Sequence, residues 1–145
     1  MINLLSGIQS TSSALEAERV RMEVVSQNIA NAQVTHGADG KPYQRQQVAF
    51  ESVLDNKVGG MGPQGGSQYS VRVSRIDKDQ RPFQMVFRPG HPDADKKTGM
   101  VAMPNINIHE EMVDMIASSR AFEANLMVVK NSRQMAMQAM SIGKH

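Results

Sequence analysis

Ile108-His109-Glu110-Glu111-Met112-Val113-Asp114-Met115-Ile116-Ala117-Ser118-Ser119-Arg120-Ala121-Phe122-Glu123-Ala124-Asn125-Leu126-Met127-Val128-Val129 decides the fold. Stepping four and three residues in turn from Ile108 passes through Met112, Met115, Ser119, Phe122, Leu126, Val129, Arg133, Ala136 and Met140, and eight of those ten positions are apolar. A second line begins at Leu4 and runs through Ile8, Thr11, Leu15, Glu18, Met22, Val25, Ile29 and Ala32, seven of nine apolar. A hydrophobic period of about 3.5 residues held over several heptads gives a narrow stripe suited to packing helix against helix. One such helix is ordinary core material. Two, at opposite ends of one chain, point to a helical hairpin or an intermolecular bundle, and so to an assembly component.

The C-terminal helix is marked at its start. Pro104 precedes it, Asn107 can cap its free amides, and Glu110 falls three residues on as the reciprocal partner. Gly143 is the expected stop. Acidic Glu110, Glu111, Asp114 and Glu123 in its first half and Lys130, Arg133 and Lys144 in its second suit the helix dipole. Its length should be on the order of 50 Å. For the N-terminal helix, Ser6 with Gln9 and Ser13 with Glu16 both fit a capping box, and Gly37 is the expected C-terminal stop.

The middle reads as short strands. Tyr43–Phe50, Tyr69–Ile76 and Pro82–Phe87 are rich in β-branched or aromatic residues, and Thr98–Met103 is a further candidate. Between the first two, the run 59–66 (Gly-Gly-Met-Gly-Pro-Gln-Gly-Gly) reads as a flexible loop. The expected fold is α+β: an N-terminal assembly helix in 1–36, a small β-rich central region in 37–104, and a C-terminal assembly helix in 105–145.

Composition limits the function. Among 145 residues 40% are hydrophobic but only 4% aromatic, so the core is small or shared between subunits. Isolated helices are marginal until they find a partner, so mobile termini that order on assembly are expected. Cysteine is absent, which removes disulfides and thiolate metal sites. No apolar run approaches the roughly 18 residues of a membrane span, so direct membrane insertion is not expected. Met1–Ser6 lacks a basic leader and a long apolar segment, which argues against a Sec-type signal peptide. Sixteen Lys and Arg face fourteen Asp and Glu, dispersed along the chain, with no basic stripe to bind nucleic acid.

No catalytic pattern, cofactor motif or metal cluster stands out. His36, His91, His109 and His145 are scattered. His91-Pro92-Asp93 reads as a turn rather than a metal corner, and His109-Glu110-Glu111 as a solvated first turn of the helix rather than an acid/base site. Six of the twelve methionines fall between Met112 and Met140, an adaptable surface suited to several non-identical neighbours. Asn28, Asn31 and Asn125 lie close to the apolar lines and are candidates to fix subunit register by hydrogen bonding, as buried amides do in coiled coils.

Ser26-Gln27-Asn28-Ile29-Ala30-Asn31-Ala32, followed by Pro42-Tyr43-Gln44-Arg45-Gln46, resembles the N-terminal signature of the bacterial flagellar axial proteins. His91–Asp95, Gly99–Ile106 and Glu111–Asn125, including Arg120, are similar to the basal-body rod proteins of that family, so the resemblance covers the whole chain. It implies a structural rod subunit, exported by the flagellar type III apparatus without a cleaved leader. The terminal helices would pack into the inner layers of a tube and the β-rich middle would lie outside. Implied partners are other copies of itself, the rod proteins FlgB, FlgF and FlgG, and the FliE adaptor to the membrane ring. A secreted helical-hairpin adaptor or chaperone that never polymerises is the alternative from the residues alone.

Overall fold

A computed structural model describes residues 4–37, 39–55 and 68–142, with side chains described from Gly7 onward in the first helix. The loop expected at 59–66 and the helix stop expected at Gly143 lie outside the described residues. In order, the elements are α1 (Leu4–Ala30), β1 (Gln46–Asp55), β2 (Gln68–Lys78), β3 (Gln84–Phe87), β4 (Met100–Met103) and α2 (Ile108–Ile142). The fold is the expected α+β arrangement of two long terminal helices around a small β region.

Both candidate capping boxes of α1 lie within the helix, which runs from Leu4. The Ser10 and Thr11 hydroxyls donate back to the Gly7 carbonyl at 3.1 and 2.7 Å, and Ser13 donates to the Ser10 carbonyl at 2.8 Å. Hydroxyls satisfied on the preceding turn do not terminate a helix. At the other end α1 stops at Ala30, well before Gly37, by tightening: the Ala32 amide bonds the Ile29 carbonyl at 3.2 Å and the Val34 amide bonds Asn31 at 3.1 Å. Gly37 instead closes a turn with Lys41, and Gly40 takes the left-handed conformation, φ 69°.

The start of α2 agrees with the sequence. The Asn107 carboxamide oxygen accepts the His109 amide at 3.1 Å, while its nitrogen donates to the Glu110 carboxylate at 3.2 Å.

Strands β1 and β2 form one antiparallel hairpin, from Gln46↔Lys78 to Asp55↔Gln68, in which Ser74 is the extra residue of a bulge opposite Ala49 and Phe50. Strands β3 and β4 form a second antiparallel pair. Gly99, φ 66°, leads into β4 beneath Phe87, where a Cβ would lie 2.8 Å from the ring. Helices α1 and α2 run antiparallel, because Asn28 meets Glu111 while Arg21 meets Asp114. The β1–β2 hairpin packs on α1: Val48 and Phe50 line one cleft with Val24 and Val25, and Val71 and Val73 line another with Ala17 and Val20. The buried apolar core is correspondingly small and leans on α1, with Ala17, Val24, Val25 and Ala32, plus Val101 and Ile106 from the strand and loop before α2.

Candidate assembly interface and the junction behind it

Where the end of α1, the start of β1 and the first turns of α2 meet, the chain buries a polar cluster. Asn28 is 1% exposed and uses all four of its hydrogen-bonding positions. Its amide nitrogen donates to the Gln46 carbonyl and to the Glu111 carboxylate, both at 2.9 Å. Its oxygen accepts the Tyr43 hydroxyl at 3.1 Å and the Gln46 amide at 3.0 Å.

Glu111 is fully buried, and its other oxygen takes the Arg45 guanidinium at 2.5 Å. Arg45 also faces Asp79 at 3.6 Å and Asp114 at 3.5 Å, and Arg21 reaches Asp114 from α1 at 3.4 Å. Asn105 completes the cluster, accepting the Arg45 amide at 2.9 Å and donating to the carbonyls of Asp79 and Arg81.

The electrostatics follow from these contacts. Burial pulls the Arg45 guanidinium down, but the Glu111 hydrogen bond and the charges of Glu111, Asp79 and Asp114 outweigh it, and its pKa is raised. Burial likewise pushes the Asp79 carboxyl up, yet hydrogen bonds and charge from Arg81, with Arg45 behind, hold it below its ordinary value. Burial, then the charge of Glu111, raises the Tyr43 phenol. These groups are spent on one another across α1, β1 and α2, and so tie the three elements together as a joint.

Glu111 is a correction to the sequence reading. His109 and Glu110 are solvated as expected, but Glu111 turns inward to Arg45. Periodicity could not find it, because an apolar count passes over an acidic residue. His91-Pro92-Asp93 is a turn, in which the Asp93 amide donates to His91 Nδ1 at 3.2 Å and Thr35 donates to the Asp93 carboxylate at 2.7 Å.

The face of α2 turned to α1 follows Glu111, Met115, Ser118, Phe122, Asn125, Val129, Ser132 and Ala136, all buried or half-buried. Ser118 is wholly buried and bonds its own helix carbonyls, Asp114 at 2.8 Å and Met115 at 3.1 Å, so a small residue sets the closest approach. Four of these positions, Met115, Phe122, Val129 and Ala136, belong to the expected apolar line. The rest of that line lies one step round the helix: Ile108, Met112, Leu126 and Met140 are exposed, Leu126 by 46% and Met140 by 66%. On α1, Val25 and Ala32 are buried and Ile8, Leu15, Met22 and Ile29 are half-buried; the Leu4 side chain is outside the description.

These two lines converge. At about 100° per residue, Ile8, Leu15, Met22 and Ile29 are rotated away from the α2-facing side of α1 in the same angular sense as Met112, Ser119, Leu126 and Met140 are rotated from the α1-facing side of α2. In an antiparallel pair, equal senses of rotation bring both lines to the same side. The β1–β2 hairpin covers the opposite side, through Ser13, Ala17 and Val20. The helical hairpin therefore carries one largely apolar face, with Met22, Met112 and Met140 in it, on the side away from the β1–β2 hairpin.

The motif residues divide between joint and surface. Asn28 has no capacity left for a neighbour. Asn31 donates to the Gln27 carbonyl of its own helix at 2.8 Å. Ser26, Gln27 and Arg120 are exposed, and Asn125 is half-buried on the α1-facing line. Asn28, then Tyr43, Arg45 and Gln46, then Glu111, from motif pieces far apart in sequence, are brought together at the one joint.

Comparison with known proteins agrees with this geometry. Residues 8–38 match the family described as "Flagella basal body rod protein", and residues 97–142 match "Flagellar basal body rod FlgEFG protein C-terminal". The flagellar basal-body rod protein FlgC of Borreliella burgdorferi is 41% identical, with 97% of this chain and 98% of that protein covered. The chain belongs to the FlgC family of flagellar basal-body rod proteins. Other FlgC proteins are similar over comparable spans: that of Bacillus subtilis is 38% identical, covering 92% of this chain and 94% of its own length, and that of Yersinia enterocolitica is 35% identical, covering 99% and 100%. The two family matches fall on α1 and on β4 with α2, and leave the β1–β2 hairpin between them. Membership of the FlgC family makes this a structural subunit of the flagellar basal-body rod that assembles with rod components; the single-partner adaptor reading has no support among these relatives. Among the described residues no helix is long and apolar enough to cross a membrane.

Proposed function

We propose that this chain is a proximal-rod subunit that polymerises through its terminal helices and carries torque across the periplasm after type III export. Its neighbours are further copies of itself, FlgB, FlgF, FlgG and the FliE adaptor. The helices 1–36 and 105–145 do the assembling and the region 37–104 lies outside them. The observation that carries this reading is the apolar face of the α1–α2 hairpin, left open on the side away from the β region. Many weak apolar contacts along two helices must slip together before such a subunit shears, so resistance to torque needs no chemistry.

The test is Leu126→Asp. Leu126 is 46% exposed, so the change should leave the folded monomer intact by circular dichroism and proteolysis, while a carboxylate on a desolvated helix contact should prevent assembly. Cells carrying it should lack rods and not swim. Normal motility would refute the role of this face.

A further inference from the structure

Each of the two apolar lines is interrupted by one charge, and the charges are opposite: Glu18 on α1 and Arg133 on α2. Glu18 is half-buried on the side of α1 that turns toward the open face. Its Oε2 is shielded from solvent and has no hydrogen-bond partner among the described residues. The nearby Arg21 is committed to Asp114 at 3.4 Å. Arg133 is exposed on the same side of the hairpin and makes no salt bridge among the described residues.

Within one chain these two cannot meet. Continuing the antiparallel register set by Asn28 with Glu111 and Arg21 with Asp114 places Glu18 level with the turn around Ser119. Arg133 stands a further four turns along α2, about 21 Å away at 1.5 Å per residue. A buried carboxylate oxygen without a partner is costly, and a cation of the right sign stands at the wrong height.

Resting on the rod-subunit reading, we propose that Glu18 of one copy pairs with Arg133 of a second copy docked on the open apolar face, and that this pair sets the axial register of self-association. For two copies lying parallel, the pair requires a displacement of about 21 Å along the helix axis. A displaced contact is heterologous: it leaves Arg133 of the first copy and Glu18 of the second free to take further copies, so growth continues. A face-to-face twofold arrangement would satisfy both pairs at once and stop at a dimer. Opposite charges at one register position of otherwise apolar helices also penalise other alignments, in which each would be buried against methionine or leucine.

The chain contains no cysteine, so Glu18→Cys with Arg133→Cys provides the only thiols. A disulfide requires Cα atoms within about 7 Å, which excludes closure within one chain. Basal bodies purified from cells expressing this variant, oxidised mildly and run without reductant, should contain linked dimers, trimers and longer ladders. In parallel, Glu18→Arg and Arg133→Glu should each reduce rod yield and swimming, and the double exchange should restore both. Ladders with charge-exchange rescue establish the pair. Dimers with nothing longer, or an exchange no better than either single variant, overturns it while leaving the rod-subunit reading in place. Absence of the unsubstituted chain from purified basal bodies would instead overturn that reading.

Discussion

Replacing Asn28 by alanine removes four hydrogen bonds at once and tests whether the buried joint sets the angle between the helices. The Gln46 amide and carbonyl, the Tyr43 hydroxyl and one Glu111 oxygen lose their partner. A hydrogen bond is worth about 0.5–1.5 kcal/mol net, and about 1.5–3 kcal/mol where one member is charged. Some of the orphaned groups can relax toward solvent, so the expected loss is about 3–5 kcal/mol, a large share of the roughly 5–15 kcal/mol that holds a domain folded. At about 2–4 °C per kcal/mol for a chain of this size, the melting temperature of Asn28→Ala should fall by roughly 6–20 °C. Asn28→Asp sharpens the test, because it keeps the shape and the two acceptor contacts but sets a second carboxylate against Glu111, where the amide had donated at 2.9 Å. At neutral pH it should be no more stable than the alanine variant. Near pH 5 it should recover in part, because one proton shared between two close carboxylates restores the lost donor. Urea unfolding of the three proteins at pH 7 and pH 5 measures this. A loss below about 1 kcal/mol for Asn28→Ala, or a stability of Asn28→Asp that ignores pH, would refute the joint as described.

Three further outcomes are expected. Glu111→Ala should cost about 3–5 kcal/mol by leaving Arg45 without its buried partner, whereas Glu111→Leu with Arg45→Met should cost less than Glu111→Ala alone; urea midpoints decide between them. The pH profile of stability should fall off at both extremes. Asp79 binds its proton less tightly in the fold, so its contribution is full above the ordinary value of 3.8 and is lost as pH drops through the lower folded value; Tyr43 holds its proton more tightly, so its contribution is full below 10.0 and is lost as pH rises through the higher folded value. Gly99→Ala should destabilise the β3–β4 pair by about 1–2 kcal/mol, since it combines a left-handed backbone with a Cβ 2.8 Å from Phe87, and amide exchange in Met100–Met103 should speed up accordingly.

The helices were legible because a hydrophobic period repeated over four heptads is a long signal, and the Asn107–Glu110 cap because it is a local one. The joint was not legible. Asn28, Arg45 and Glu111 are separated by up to 83 positions, and nothing next to any of them in sequence distinguishes a buried ion pair from solvated surface charge. The same limit explains why the helix ends differ from expectation: Ser6 and Ser13 carry capping-box spacing, yet the apolar period continues through both, and packing along α1 outweighs a local cap. The apolar line on α2 reads as one seam but serves two surfaces. Glu111 and Ser118, both polar, rotate the helix so that half of the line meets α1 and half remains outside.

That rotation explains how one chain holds a defined shape and still offers an unfinished surface. The side-chain hydrogen bonds between α1 and α2 are confined, among the described residues, to Asn28–Glu111 and Arg21–Asp114, at one end of the hairpin. Beyond Ser118 the α1-facing line of α2 carries half-buried Phe122, Asn125, Val129, Ser132 and Ala136, with Met127, Met135, Met137 and Met140 exposed beside them. Directional contacts with fixed lengths set the angle at the joint. Dispersion contacts of adaptable methionine set little beyond it. A subunit that must fit several non-equivalent neighbours gains from this division, because the distal helices can adjust to each neighbour without straining the joint that fixes their origin. An apolar core running the full length of the hairpin would have made the monomer more stable and left less adaptable surface for the assembly proposed above.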